Sequence, residues 1–136
     1  MKLSEEEIQQ KYTEFQYLQQ QIEQINQHLE MLVQQNSEMD ISIAALKELE
    51  NTKPNSEILA PIANGVFLKA KLENNQKLIV NVGSNTTVEK KIPEVIELLQ
   101  KQKEEFNLGI SEADSVLQEL SSQAMLIYKE VEEAQK

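Results

Sequence analysis

Two long stretches of the chain repeat apolar residues every seven positions, and this spacing limits the fold more than any other feature. In the first stretch, Ser4 and Glu7 have the spacing of a helix-starting capping box, and Pro54 disfavours helix at the residue before it. Six heptads between these limits predict a long coiled-coil helix. Its two seam positions hold Ile8, Phe15, Ile22, Leu29, Asn36 and Ile43, and Lys11, Leu18, Ile25, Leu32, Met39 and Leu46.

The second stretch predicts a similar helix that begins near Pro93, a residue suited to the first helical turn. Its seam passes through Gly109 without a change of phase, so we expect one continuous helix. Two arms of nearly equal length predict an antiparallel two-helix coiled coil, with the polar seam residues Asn36 and Lys103 at similar depth. The second seam holds Ile96, Lys103, Ile110, Leu117, Ala124 and Val131 at one position, and Ile92, Leu99, Phe106, Ala113, Leu120, Ile127 and Ala134 at the other.

The segment between the arms has the two-residue alternation and branched side chains of β-strands. Asn64-Gly65 is a strong hairpin-turn signal because both residues tolerate positive φ, and Glu73–Gln76 and Gly83–Asn85 supply two further turns. Pro61 lacks an N–H, so its strand should lie at an edge or carry a bulge. We expect four strands in two hairpins, at Glu57–Ile62, Val66–Leu72, Lys77–Val82 and Thr86–Lys90.

A segment of about 35 residues is too short to bury a sufficient core alone, and its strand edges are open to pairing. We therefore expect a mainly α chain with a small β head, in which a long antiparallel coiled coil is joined by two β-hairpins that build an oligomeric β-barrel. The predicted divisions are residues 1–53 and 92–136 for the two helices and 54–91 for the oligomerisation head.

Composition narrows the functional classes. The net charge is −10, and acidic residues outnumber lysines in both arms, which argues against binding to nucleic acid. The chain has no Cys, no run of apolar residues long enough to cross a membrane and no signal-peptide pattern at its amino end, so we expect a soluble cytoplasmic protein.

Catalytic and cofactor motifs are missing from the sequence. His28 is the single His and has no second ligand one helical turn away, and Gly65, Gly83 and Gly109 are isolated rather than part of a phosphate-binding loop. A two-helix coil also offers no interior for a substrate pocket. We expect no enzyme, no metal and no cofactor.

The outer ends of both arms should meet at a tip that carries apolar and aromatic residues outside its seam. Tyr12 and Tyr17 on one arm and Met125, Leu126 and Tyr128 on the other cannot be covered by a two-stranded coil. Exposed apolar patches often bind partners. Apolar residues also lie off the seam in mid-arm, so a surface without a partner is an equally good interpretation of this pattern.

The chain resembles the prefoldin family, in particular its archaeal alpha class. It does so in the order of its elements, which is helix, two hairpins and helix, and in the amino-acid sequence of the head. The residues that carry the resemblance are Ile58-Leu59-Ala60-Pro61-Ile62, Gly65-Val66-Phe67-Leu68-Lys69-Ala70, Val80-Asn81-Val82-Gly83 and Val88-Glu89-Lys90. The resemblance implies a hexamer of two alpha and four beta subunits that holds non-native proteins at the coil tips without ATP and passes them to a group II chaperonin.

The resemblance also implies two sets of site residues. Client-binding residues at the tip would be Ile8, Tyr12, Phe15, Tyr17, Met125, Leu126, Ile127, Tyr128 and Val131. Subunit assembly would use Ile58, Leu59, Ile62, Val66, Phe67, Leu68, Ala70, Leu72, Leu78, Ile79, Val80, Val82 and Val88. The alternative is a structural coiled-coil scaffold that spaces two fixed protein partners.

Overall fold

The computed structural model describes residues 3–73 and 77–135, and it has the predicted order of elements. Helix α1 spans Glu5–Glu50 and helix α2 spans Ile92–Ala134, and α2 is continuous through Gly109 as predicted. Each strand ends within one residue of its predicted limit; the turn predicted at Glu73–Gln76 falls largely on residues 74–76, which lie outside the described residues. The strands between the helices are β1 Glu57–Ala63, β2 Val66–Lys71, β3 Lys77–Gly83 and β4 Thr86–Lys91.

Helix α1 begins with the predicted capping box. The Glu7 backbone N–H donates to Ser4 Oγ over 3.2 Å, and the Ser4 N–H donates to Glu7 Oε2 over 3.2 Å. Both bonds satisfy backbone donors that the first helical turn leaves without partners. At the other end, the Thr52 hydroxyl donates to the Glu48 carbonyl oxygen over 2.8 Å, which satisfies an acceptor of the last turn.

The chain divides into two compact units, one formed by residues up to Asn36 with those from Glu105 onward, the other by Ser37–Glu104. Every predicted seam residue in both helices is buried or half-buried, which confirms the heptad assignment. In the first unit, which we call the terminal helix pair, Leu18, Ala124 and Ile127 form a buried cluster. Phe15, Ile22, Leu120 and Val131 pack around this cluster.

The second unit, which we call the hairpin unit, has its own core where α1 ends and α2 begins. Ile43, Ile92 and Ile96 form this core, and Leu78 of β3 packs against it. Ile92 is completely buried, with 0% of its surface exposed. On the seam, the Lys103 ammonium pairs with Asp40, so the acid of one helix neutralises the seam lysine of the other.

The two hairpins are separate two-stranded antiparallel sheets with the same register. Glu57 pairs with Lys71 in the first hairpin. The equivalent pair in the second hairpin is Lys77 with Lys91, and every paired position there is numbered 20 higher than its counterpart in the first. Both hairpins shift register at the same place, between Pro61 and Ala63 in the first, which confirms the predicted bulge. The residue that follows each hairpin, Leu72 or Ile92, is buried.

The hairpin turns lie where the sequence predicts them but differ from each other in backbone conformation. In the first turn, at Asn64-Gly65, only Gly65 has positive φ, at 75°. In the second turn both Ser84 and Asn85 have positive φ, at 51° and 60°, which is the pattern of a type I′ turn. The Gly83 N–H donates to Asn81 Oδ1 over 2.9 Å and leads into that turn.

Candidate functional site

One flank of the terminal helix pair carries two adjoining apolar hollows, which together we call the groove. The larger has a volume of about 690 Å³ and the smaller about 360 Å³. Phe15 and Tyr128 line both hollows and so join them. The larger is also lined by Gln19, Ile22, Glu23, Asn26, Ser121, Ala124 and Met125, and the smaller by Tyr12, Ile127, Val131, Glu132 and Gln135.

Helical spacing explains why these side chains meet. Residues three, four or seven apart share a helix face, so Phe15 and Ile22 on the seam stand beside Tyr12, Gln19 and Asn26. The rings of Phe15 and Tyr128 lie 6.2 Å apart between centroids with planes tilted by 41°, within the range of favourable aromatic pairs. Phe15 is half-buried in the seam, whereas Tyr128 is 55% exposed, so the pair has one fixed ring and one accessible ring.

The structure brings together most, but not all, of the residues predicted for the tip. Tyr12, Phe15, Met125 and Tyr128 line the groove, and the seam residues Ile127 and Val131 form part of its floor. The remaining predicted residues, Ile8, Tyr17 and Leu126, line neither hollow.

Sequence reasoning did not identify the polar part of the groove, which consists of Gln19, Glu23, Asn26, Ser121, Glu132 and Gln135. Their signal was present in the heptad, because all of them stand next to the seam on one side. It could have been found by asking which side of the seam also carries Tyr12 and Tyr128.

An ion pair ties the two helices of this unit together. The Lys11 ammonium donates a hydrogen bond to Glu130, and this bond raises the pKa of Lys11 above its ordinary value of 10.5. Glu14 and Glu7 raise the pKa further by their negative charge, while partial desolvation acts in the opposite direction. The carboxylate of Glu130 neutralises the lysine charge, which explains how Lys11 can occupy a seam position.

The hairpins form a second candidate surface, since many of their large apolar side chains are exposed. These are Leu59, Ile62, Val66, Phe67, Leu68, Ile79, Val82 and Val88. Within the predicted assembly set, Leu72 is buried and Ile58, Ala70, Leu78 and Val80 are half-buried by the chain itself. On the strand face that carries Ala70 and Val80, the exposed residues therefore include Leu68 and Val82, which lie towards the hairpin turns.

The two hairpins carry the same cross-strand ion pair with opposite polarity. Lys69 Nζ lies 3.9 Å from Glu57 Oε1 in the first, and Lys77 Nζ lies 3.9 Å from Glu89 Oε2 in the second. Glu57 and Lys77 occupy equivalent places in the common register, as do Lys69 and Glu89. These pairs are largely exposed, so each adds little to stability.

Within residues 3–73 and 77–135, no three His, Cys, Asp or Glu side chains come together in a way that could hold a metal ion. Neither helix, over the part of the chain that the structure describes, has an apolar stretch long enough to cross a lipid bilayer.

Comparison with known proteins gives a consistent result. The family model described as "Prefoldin subunit" matches residues 18–136. "Prefoldin subunit alpha" of Pyrococcus horikoshii is 34% identical over 125 residues, which cover 90% of this chain and 83% of that protein. "Prefoldin subunit alpha 1" of Methanocaldococcus jannaschii is 34% identical over 127 residues, which cover 93% of this chain and 87% of that protein.

A solved structure has the same fold. A chain in the cryo-electron microscopy structure of filamentous PFD from Methanocaldococcus jannaschii superposes with a TM-score of 0.73 at 20% identity. The match covers 85% of this chain and 95% of that one.

Proposed function

The chain belongs to the prefoldin subunit family, and from this premise we propose how its two exposed surfaces perform the work of a chaperone subunit. Prefoldin subunits act in oligomeric complexes, and the family is one of chaperones rather than enzymes. The proposal is that this chain is the alpha-type subunit of a hexamer with two alpha and four beta subunits. That complex holds non-native proteins without ATP and delivers them to a group II chaperonin in the cytoplasm.

The exposed apolar side chains of the hairpins support their use in assembly. Leu59, Phe67 and Leu68 on the first hairpin and Ile79 and Val82 on the second are more than half exposed in the single chain. Two-stranded sheets are marginal alone, and pairing with strands of other subunits would cover these side chains and the strand edges. We propose that beta-type subunits and a second alpha subunit supply those strands and close a β-barrel.

The groove on the terminal helix pair supports client binding and is the observation on which this part of the proposal depends. Its apolar floor is wide enough for side chains of a partner, and the flexible side chain of Met125 can adapt to varied shapes, while Tyr128 offers a large rigid ring. A single shallow groove binds weakly, which permits release. Several grooves on one assembly raise the overall affinity by orders of magnitude without any tight individual contact.

The experiment that tests this proposal measures aggregation of a chemically unfolded protein with and without the assembled complex, in the absence of nucleotide. We expect the intact complex to suppress aggregation. Removing residues 1–17 and 124–136 should abolish protection, because these residues include Phe15 and Tyr128. Native mass measurement of the same sample should show an unchanged oligomer, since the hairpins remain.

Two results would contradict the proposal. Full protection by the trimmed complex would show that clients bind elsewhere. Saturable binding of one specific partner, with no protection of unrelated unfolded proteins, would instead favour a structural scaffold.

A further inference from the structure

The groove is acidic on its rim as well as apolar on its floor. Glu23 lines the larger hollow and Glu132 the smaller. Three more acids continue the same flank at heptad spacing from lining residues: Glu5 seven before Tyr12, Glu30 seven after Glu23, and Asp114 seven before Ser121. Residues seven apart lie on the same face of a helix, so all five carboxylates border one flank.

Basic side chains lie elsewhere on the described part of this unit. Lys11 occupies the seam and is paired with Glu130. Lys129 follows Tyr128 directly and is therefore turned about 100° away from it around the helix. Across residues 3–36 and 105–135, the flank that contains the groove thus carries acids without a neutralising lysine.

From this juxtaposition we propose that the groove selects one class of client segment, in which apolar residues are flanked by Lys or Arg. This inference rests on the proposed function and deepens it by naming what the groove prefers. The apolar residues would occupy the floor between Phe15 and Met125, while the flanking cations would lie beside Glu23 and Glu132. Unfolded segments flanked by acids would be repelled by the same carboxylates.

The acidic rim also gives a physical reason for release. Contacts between exposed charges are weak and are screened by salt, so they add selectivity without making the complex long-lived. A client that folds buries its apolar residues and so loses its contacts with the floor of the groove. Its surface lysines still contact the carboxylates, but these contacts alone are too weak to hold it.

The test uses the assembled complex and three labelled peptides that share one Leu- and Phe-containing core, flanked by Lys, by Ser or by Glu. Fluorescence anisotropy measures the affinity of each. We expect the Lys-flanked peptide to bind about three- to tenfold more tightly than the Ser-flanked one at low salt, and the Glu-flanked peptide to bind most weakly. Raising the salt concentration should reduce these differences.

A matched pair of variants separates the groove from the general negative charge of the chain. Glu23→Gln with Glu132→Gln should remove most of the preference for the Lys-flanked peptide, measured as the ratio of the affinities of the same variant complex for the Lys-flanked and the Ser-flanked peptide. Glu119→Gln with Glu133→Gln changes the charge equally, but these residues lie seven positions either side of Leu126, which lines neither hollow. This control should keep the preference.

The outcomes also distinguish this inference from the proposed function. Binding of the Ser-flanked peptide with no gain for the Lys-flanked one would overturn the charge preference alone. An equal loss of preference in both double variants would do the same, because it would assign the effect to net charge. Failure of all three peptides to bind would overturn client binding at the groove and the preference with it.

Discussion

Tyr128 and Phe15 hold their ring centroids 6.2 Å apart across the two helices, and both side chains border each hollow of the groove. The pair therefore links a core position of the coiled coil to its exposed flank. Tyr17 is equally exposed, at 60% against 55% for Tyr128, but lines neither hollow. The two tyrosines are a matched pair for asking whether the groove, or the whole tip, binds clients.

We predict that Tyr128→Ala weakens client binding, because it removes the accessible ring shared by both hollows. The expected loss is about 1–2 kcal/mol of binding free energy per groove, as for other aromatic anchors. Titration of an unfolded labelled protein checks this, with Tyr17→Ala as the control of equal exposure. If both variants lose the same affinity, the client contacts the tip without regard to the groove.

Ile92 and Ile79 provide a second matched pair, with 0% and 76% of their surfaces exposed. Ile92→Ala leaves a cavity beside Ile43 and Ile96, and we expect it to lower the free energy of unfolding by about 2–5 kcal/mol. Ile79→Ala should change the unfolding of the chain by less than about 0.5 kcal/mol. Denaturant titration measures both.

The same Ile79→Ala variant tests the proposed assembly surface. Because its side chain is exposed in the single chain, we expect its loss to weaken association between subunits. Native mass measurement over a range of protein concentrations should show dissociation at higher concentration than in the unaltered complex. Unchanged association would place the subunit contacts on another part of the hairpins.

Gly109 lies within a continuous helix, and a Cβ at this position would meet Leu32 Cδ1 at 3.5 Å, an ordinary contact distance. Gly109→Ala should therefore raise the free energy of unfolding by about 0.5–1 kcal/mol through helix propensity. Gly83→Ala is the opposite case, since its φ of 117° is strained for any other residue, and it should destabilise the chain. A fall in melting temperature for Gly109→Ala would contradict this prediction and mean that packing of the helix pair requires glycine at this position.

Because Lys11 pairs with Glu130, we predict that the stability of the folded chain depends on pH in the alkaline range. The pKa of Lys11 is raised in the folded chain, so its contribution is fully present below the ordinary value of 10.5 and is lost as pH rises through the raised value. We expect Lys11→Met to flatten part of the fall in melting temperature above pH 10.5 and to leave the slope at neutral pH unchanged. Lys129→Met, on the outer surface of the same unit, is the control and should leave the alkaline slope as it was.

The heptad positions were predictable because burial along a coiled coil follows from spacing alone. Leu18, Ile92 and Ile127 are buried where the seven-residue period places them, and even Lys103 keeps its seam position by pairing with Asp40. The strands were predictable because branched residues alternate and Pro61 marks the bulge.

The groove was only partly predictable, because two flanks border every seam and the sequence alone treats them alike. Tyr12 and Tyr17 are off-seam residues on opposite sides of the seam, and the packing of the two helices decides that the side with Tyr12 carries the hollows. The φ angles of the turns do not follow from residue type alone. Asn85, the second residue of its turn, has positive φ, whereas Asn64, the first residue of the other turn, does not, although both turns follow the same register shift.

The repeated register of the two hairpins has a consequence for the ancestry of such chains. Equivalent residues are 20 positions apart, and each copy ends in a buried anchor, Leu72 or Ile92. A tandem duplication of a gene segment would leave this arrangement, with divergence of the charged pair into opposite polarities in the two copies. Gain or loss of one such module would change the number of hairpins in a single genetic event and leave the heptad phase of both helices untouched.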